Sequence, residues 1–171
     1  YPLSRVEIVG PDGRKVEPGE QGEITVQGAS RMLGYFRDPE ATRAAIDADG
    51  FLHTGDLGYL DGDGILHITG RIKEIIIRNG VNLSARRIEE ALLSVPGVSA
   101  AAVVGIPDAK QGEVPAAMAV SDRTEVELLA DLAEKLPKNE IPIRIWLTES
   151  IPLTHSGKPD KQTIRKLLEK A

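Results

Sequence analysis

Near Arg71 the sequence changes its hydrophobic rhythm, and the change commits the chain to two differently built parts. Before it, short alternating runs such as Arg5 to Val9 and Glu23 to Gln27 are separated by Pro11-Asp12-Gly13 and Pro18-Gly19. That is the pattern of hairpin-linked antiparallel strands. One short helix interrupts them: Asp38 followed by Pro39 is an N-cap with proline at the first helical position, and the segment through Ala45 suits a helix that Gly50 ends. After Arg71, strands and helices alternate. Ser84 can cap a helix with Ile88, Leu92 and Val95 on one face, and Thr124 with Glu127 forms a capping box opening a helix that carries Leu129, Ala133 and Leu136. Strands at Ala101 to Val104, Val114 to Val120 and Ile143 to Leu147 intervene. A final helix from about Lys161 places Ile164, Leu167, Leu168 and Ala171 at helical spacing. The expected class is α+β: a β-rich antiparallel subdomain over residues 1–71, then a small α/β unit over 72–171 with three strands and three helices.

With 171 residues, 41% of them hydrophobic and 27% charged, the chain can bury one sizeable core or two small ones. A formal net charge of -5 argues against nucleic acid or anionic lipid as a partner, since both need a basic surface. There is no cysteine, which removes disulfide and thiolate chemistry and is compatible with a reducing cytoplasm. No apolar run approaches membrane-spanning length, so no transmembrane segment is expected. The chain starts at Tyr1 without methionine and enters a strand by Val6, so it reads as an excised piece whose upstream portion is missing. His53, His67 and His155 are too scattered for a metal site, and none is expected.

The chemistry-bearing residues cluster from His53 to Glu90, HTGDLGYLDGDGILHITGRIKEIIIRNGVNLSARRIEE. Asp56 lies in a Gly55-Asp56-Leu57-Gly58 turn, where a short carboxylate can accept two hydrogen bonds from a vicinal diol such as a ribose; an Asx-turn explains it as well. Asp61-Gly62-Asp63-Gly64 starts like a calcium loop but lacks the later ligands and the closing glutamate, so it reads as a hairpin turn. Arg71 follows Gly70 at the end of the Ile65 to Thr69 strand and can fork onto phosphate or ribose oxygens, or make a surface salt bridge. Asn79-Gly80 ends the Ile75-Ile76-Ile77 triplet and predicts a tight turn with positive φ that also permits close approach of a ligand. Arg78, Arg86 and Arg87 nearby can meet a phosphate or form a solvated helix face. Much later, Pro152-Leu153-Thr154-His155-Ser156-Gly157-Lys158 carries one lysine on a glycine-bearing loop before the last helix. It is no Walker phosphate loop, because Pro152 stands where that motif needs glycine.

Taken together, these segments resemble the C-terminal part of the adenylate-forming superfamily: acyl-CoA synthetases, aryl-CoA ligases, luciferases and adenylation domains of peptide synthetases. GEITVQG, MLGYFRDPEAT, HTGDLGYLDGDG, GRIKEIIIRNGVNLSARRIEE, VVGIPDAKQGEVPAAMAV and PLTHSGKPDK occur in the family order over nearly the whole chain. The resemblance implies that Asp56 holds the ATP ribose hydroxyls, Arg71 contacts the nucleotide, Lys73 is the interdomain hinge, Asn79 and Gly80 line the thiol tunnel, and Lys158 is the adenylation lysine. It implies a carboxylic acid, ATP and CoA as reactants and Mg2+ as cofactor, the metal held mainly by a missing N-terminal AMP-binding domain. Residues 1 to about 70 would then be the last, distorted-barrel-like subdomain of that large domain, and the rest its mobile lid. The fragment alone would be inactive, because the Gly/Ser/Thr-rich triphosphate loop, the adenine pocket and the acyl pocket have no match here. Pro159 replaces the β-branched residue common after the adenylation lysine. An acyl-CoA synthetase of cytoplasmic fatty acid metabolism is the first expectation, with Arg78, Arg86, Arg87 and Lys110 favouring a free phosphorylated thiol. A carrier-protein-loading adenylation domain and a non-catalytic interaction module are the alternatives.

Overall fold

Proline and glycine pairs divide the first part of the chain into four strands, β1 (Ser4–Val9), β2 (Gly22–Gly28), β3 (Leu52–Leu60) and β4 (Leu66–Arg71), joined into one antiparallel sheet in chain order. The computed structural model describes residues 4–170; Tyr1, at the start of the reading above, and Ala171, placed on the last helix, lie outside the described residues. Helix α1 (Pro39–Ala45) forms where expected, with the Asp38 carboxylate accepting from the Ala41 N–H at 2.9 Å and proline opening the first turn. Its core is thin: Ile8, Ile24 and Phe51 are buried, and Thr25 is buried with its hydroxyl donating to the Glu7 carbonyl at 3.1 Å. Register shifts at Glu23/Thr25 and Leu57/Gly58 distort the sheet.

The chain separates into two compact units between Lys73 and Glu74, within a short 3-10 helix (Ile72–Glu74). In the second unit, β5 (Ile75–Arg78), β6 (Val81–Ser84), β7 (Val98–Asp108), β8 (Gly112–Ser121) and β9 (Ile145–Leu147) form one sheet in the order β6-β5-β8-β7, with β9 parallel to β8. Helices α2 (Ala85–Leu93), α3 (Glu125–Lys135) and α4 (Lys161–Leu168) complete it. The strand count is therefore five and not three. The isoleucine triplet folds back across Asn79-Gly80 onto Val81–Ser84, and a pair of four-residue strands is short enough to read as a loop.

Strands β7 and β8 are buried on both faces, which is why they read as almost unbroken apolar runs. Alternate residues serve opposite cores: Ala101 and Val103 pack with Ile76, Leu83, Ile88, Leu92, Leu128, Leu132 and Ile145, whereas Ala102 and Val104 pack with Met118, Ile151, Ile164 and Leu168. Helices α2 and α3 thus cover one face of the sheet and α4 the other. One phase differs from the sequence reading. Leu128, Leu132 and Leu136 are the buried ridge of α3, Leu129 is only partly covered, and Ala133 is exposed. The Thr124–Glu127 capping box forms as expected, and of the apolar rows it permits, the fold buries the one with leucine at every position.

Candidate functional site

Asp56 lies inside β3 and not in a turn. The strand passes through Gly55, at φ 72°, and Asp56 comes into register with Arg71 at the end of β4. The Arg71 Nε stands 2.7 Å from Asp56 Oδ1, and the guanidinium side chain remains 59% exposed. Among the described residues nothing donates to the second carboxylate oxygen. A solvent-facing pair of this kind contributes roughly 0–1 kcal/mol, so a ligand bearing hydroxyls or phosphate can compete for either partner. Gly58 is required two residues on, because a Cβ there would stand 2.4 Å from the His67 carbonyl oxygen.

Glu23 organises the approach to Asp56, a role that sequence reasoning missed. Its carboxylate accepts from the Gly55 N–H at 2.9 Å and sits 2.8 Å from His53 Nδ1, while the Thr54 hydroxyl donates to the Ile24 carbonyl at 2.7 Å and accepts from the Asp56 N–H at 3.0 Å. A glutamate in an alternating strand carries no signal of this until the neighbouring strand is in register. Asp61 closes the β3–β4 turn as expected, accepting from the Asp63 and Ile65 N–H groups at 3.0 and 2.9 Å. His67, hydrogen-bonded at 2.6 Å, is the first cause holding that carboxyl below its ordinary range.

Lys73 is exposed at the division between the units, and among the described residues its ammonium has no partner. In the second unit, Asn79 and Gly80 both take positive φ, 51° and 77°, as a two-residue hairpin turn between Arg78 and Val81 demands. The Asn79 N–H donates to the Gln111 carbonyl at 2.8 Å, and Arg78 donates through Nε to Gln111 Oε1 and through Nη1 to the Asn139 carbonyl, each at 2.8 Å. Asp108 fixes the Gln111 loop by accepting from the Lys110 and Gln111 N–H groups, which lower its carboxyl from the usual range. The outer side of Gly80 is open, since an added Cβ would meet nothing within 4 Å.

The expected basic spot is partly neutralised. Arg78 braces two loops, Arg86 pairs with Glu90 at 2.8 Å, and Arg87 lies 3.0 Å from Glu140 Oε2, an oxygen closed off from water. Of the four basic residues read as phosphate partners, Arg78 and Lys110 have no ion pair among the described residues; neutral oxygens hold Arg78, and no side-chain bond among those residues holds Lys110.

Lys158 sits on a self-contained turn. The Thr154 N–H donates to the Lys158 carbonyl at 2.8 Å, the Gly157 N–H to the Thr154 carbonyl at 2.9 Å, and Leu153 bridges Pro159. The Thr154 hydroxyl adds bonds to the Lys158 carbonyl and N–H and to Ser156 Oγ. Directly after it Asp160 caps α4, accepting from the Thr163 hydroxyl at 2.8 Å and the Thr163 N–H at 3.1 Å, and these bonds lower its carboxyl. The Lys158 side chain is exposed, with no partner among the described residues. A fixed backbone therefore presents a free ammonium. The structure brings Asp56 and Arg71 together in the first unit and carries Asn79, Gly80 and Lys158 on separate turns of the second.

Residues 87–158 match the family described as AMP-binding enzyme C-terminal domain. Over 165 residues the chain is 42% identical to the feruloyl-CoA synthase of an Amycolatopsis species, covering 94% of this chain and 33% of that protein. It is 44% identical over 160 residues to the 2-succinylbenzoate–CoA ligase of Bacillus cereus, covering 92% of this chain and 33% of the ligase. The chain thus spans about a third of the length of the curated relatives it matches. ATP-bound MatB from Rhodopseudomonas palustris superposes with a TM-score of 0.91 at 33% identity, over 99% of this chain and 35% of that one. The apo form of the same protein gives 0.68, so the equivalent region of MatB does not keep one shape. The amide bond synthetase McbA from Marinactinospora thermotolerans gives 0.90 at 40% identity, over 98% of this chain and 34% of that one.

Proposed function

We propose that this chain, whose residues 87–158 belong to the AMP-binding enzyme C-terminal domain family, is the C-terminal part of an ATP-dependent acid–thiol ligase of the acyl-CoA synthetase type. The observation that carries the reading is Lys158: an exposed, unpaired ammonium on a rigid glycine turn, at the end of the family-matched segment. In the first half-reaction a substrate carboxylate oxygen attacks the α-phosphorus of ATP, the bond to the bridging oxygen breaks, and acyl-adenylate and pyrophosphate result. Lys158 bridges the carboxylate and phosphate oxygens, orienting them and stabilising the charge that develops. Asp56 accepts the ribose hydroxyls, displacing or sharing Arg71, whose fork turns to the nucleotide.

In the second half-reaction a thiol sulfur adds to the acyl carbonyl and AMP leaves with the C–O electron pair. Residues 1–71 serve as the last subdomain of the ATP-binding domain and 72–171 as the lid, with Lys73 as the hinge that withdraws Lys158 and brings Asn79-Gly80 to the thiol. The two shapes of the MatB region support such motion. An upstream AMP-binding domain supplies the triphosphate and acyl pockets. Mg2+, as in nucleotide chemistry generally, would be held by the ATP phosphates together with groups of that upstream domain. CoA is the preferred thiol on the ground that relatives such as feruloyl-CoA synthase use it; Arg86 and Arg87, paired with carboxylates, no longer argue for it. Among the described residues no helix is long and apolar enough to cross a membrane, and a cytoplasmic setting fits the absence of cysteine.

The test is the complete enzyme assayed for ATP–pyrophosphate exchange over a panel of acids, then for acyl transfer to CoA, to a phosphopantetheinylated carrier protein and to an amine. Exchange that falls by roughly two to three orders of magnitude in Lys158→Ala, with thioester forming on CoA, is the expected result. Exchange surviving Lys158→Ala overturns the assignment; transfer to the carrier protein or the amine alone moves the chain to a neighbouring class.

A further inference from the structure

Helix α4, which follows Lys158, is tied down on one face by two ionic systems. Lys161, its first residue, places Nζ 2.5 Å from Glu74 Oε2 and 2.9 Å from Glu89 Oε1, and that Glu89 oxygen also accepts from the Val103 N–H at 2.8 Å. One turn later, Arg165 Nη2 stands 3.0 Å from Glu113 Oε1, while Glu113 Oε2 accepts from the Ile77 N–H at 3.2 Å. Glycine at 105 makes room for this carboxylate, because a Cβ there would stand 2.9 Å from Glu113 Oε2.

Isolated surface ion pairs fix little, since two long side chains must be held in high dielectric. Lys161 is different. Its side chain is 23% exposed and its charge is shared between carboxylates from two separate elements, the 3-10 turn and α2. Glu74 is the first residue of the second unit, and Lys161 lies three residues beyond Lys158. Between them stand Pro159 and the Asp160 cap, the latter locked to Thr163 and, through its N–H, to the Pro152 carbonyl at 2.8 Å. The two lysines thus have opposite conditions: Lys158 is exposed and unpaired, Lys161 is part-buried and doubly paired.

We propose that Lys161 is a positioning residue for adenylation: its ammonium, clamped between Glu74 and Glu89, fixes the Lys158 turn to the residue at which the second unit begins. Rotation taken up at or before Lys73 then reaches Lys158 without slack, because neither Glu74 nor the start of α4 can shift alone. The proposal rests on the acid–thiol ligase reading and deepens it. It concerns the first half-reaction, where Lys158 has to sit within about an ångström of its place and a displacement of that size costs on the order of 100-fold. The second, in which Lys158 is withdrawn, does not need it.

In the complete enzyme, Lys161→Met should lower kcat for pyrophosphate exchange by on the order of 100-fold, with the KM for ATP nearly unchanged. Thioester formation from supplied acyl-adenylate should stay near the wild-type rate, and Lys161→Arg, which keeps the charge and reaches both carboxylates, should recover most of the exchange. Glu89→Gln, which keeps an acceptor for Val103, should show the same split at smaller size and serves if Lys161→Met does not fold. Wild-type exchange in Lys161→Met overturns the proposal, as does an equal fall of both half-reactions that arginine does not rescue. A wild-type enzyme that exchanges no pyrophosphate with any acid overturns the ligase reading itself.

Discussion

Two glycines offer matched perturbations of the two working turns. Gly157 and Gly80 each have φ 77°, and a Cβ added to either would meet no heavy atom within 4 Å. Substitution by alanine therefore introduces no clash, only the torsional penalty of an L-residue in the left-handed region, roughly 1–2 kcal/mol. If that penalty is taken from the population of the native turn, the competent fraction drops by at most a factor of about 5–30. The role assignment predicts a crossover between half-reactions. Gly157→Ala should slow pyrophosphate exchange by up to about 30-fold and leave thioester formation from supplied acyl-adenylate nearly intact, and Gly80→Ala should do the reverse. Asparagine, whose side chain tolerates left-handed backbone, should lose less than alanine at both positions, and valine should lose more. Single-turnover measurements on the complete enzyme, one half-reaction at a time, give both numbers. The reasoning is refuted if both glycine variants impair the same half-reaction, or if alanine at either position is silent where valine is not.

Three further outcomes follow from the geometry. Asp56→Asn should raise the KM for ATP by roughly 10- to 100-fold, the worth of charge-assisted hydrogen bonds, with a smaller effect on kcat; an unchanged KM removes Asp56 from nucleotide binding. Leu128→Ala, at a side chain with 0% exposure, should destabilise by about 2–5 kcal/mol in denaturant titration, whereas Ala133→Ser should stay within about 0.5 kcal/mol; the opposite order would mean that the α3 phase is misassigned. The carboxyls of Asp61, Asp108, Glu127 and Asp160 are lowered first by His67, the Lys110 N–H, the Thr124 N–H and the Thr163 hydroxyl respectively. With the folded value the lower one, their stabilisation is complete above about pH 4.5 and is lost as pH falls below about 4. Melting temperatures level from pH 7 to 5 and declining towards pH 3 are expected, and a flat profile throughout contradicts the assignment.

What was legible in the sequence was what local chemistry decides. Asp38-Pro39, Ser84 and the Thr124–Glu127 box start helices because their side chains satisfy backbone donors a few residues away, and Asn79-Gly80 turns because its φ values are cheap for those residues. Strand membership was harder. Gly55-Asp56-Leu57-Gly58 has turn composition, yet it lies within β3, kinked at Gly55 and shifted in register at Leu57/Gly58, because pairing with β2 and β4 on either side and the Glu23 bond to the Gly55 N–H keep it in the sheet. The phase of α3 and the β5–β6 pair failed for the same reason: several local solutions were open, and non-local packing chose among them.

The same distinction governs the charges. Arg78, Arg86, Arg87, Lys110 and Lys158 look alike as basic residues near glycine turns, and composition ranks none above another. Partners separate them: Gln111 and the Asn139 carbonyl take Arg78, Glu90 takes Arg86, and Glu140 takes Arg87. A cation already engaged must lose that partner before it can serve a phosphate, and the loss offsets much of what the new bond would contribute. Lys158 has nothing to give up. Its loop, Thr154 to Lys158, satisfies itself through Thr154, so no other group in the unit needs the ammonium, and three residues on Lys161 does the opposite by spending its charge on Glu74 and Glu89. Availability, decided by which groups the fold brings near, leaves Lys158 free, as it does Lys110 among the described residues, and the reactive role proposed for Lys158 rests on that freedom together with its self-satisfied turn, neither of which composition shows.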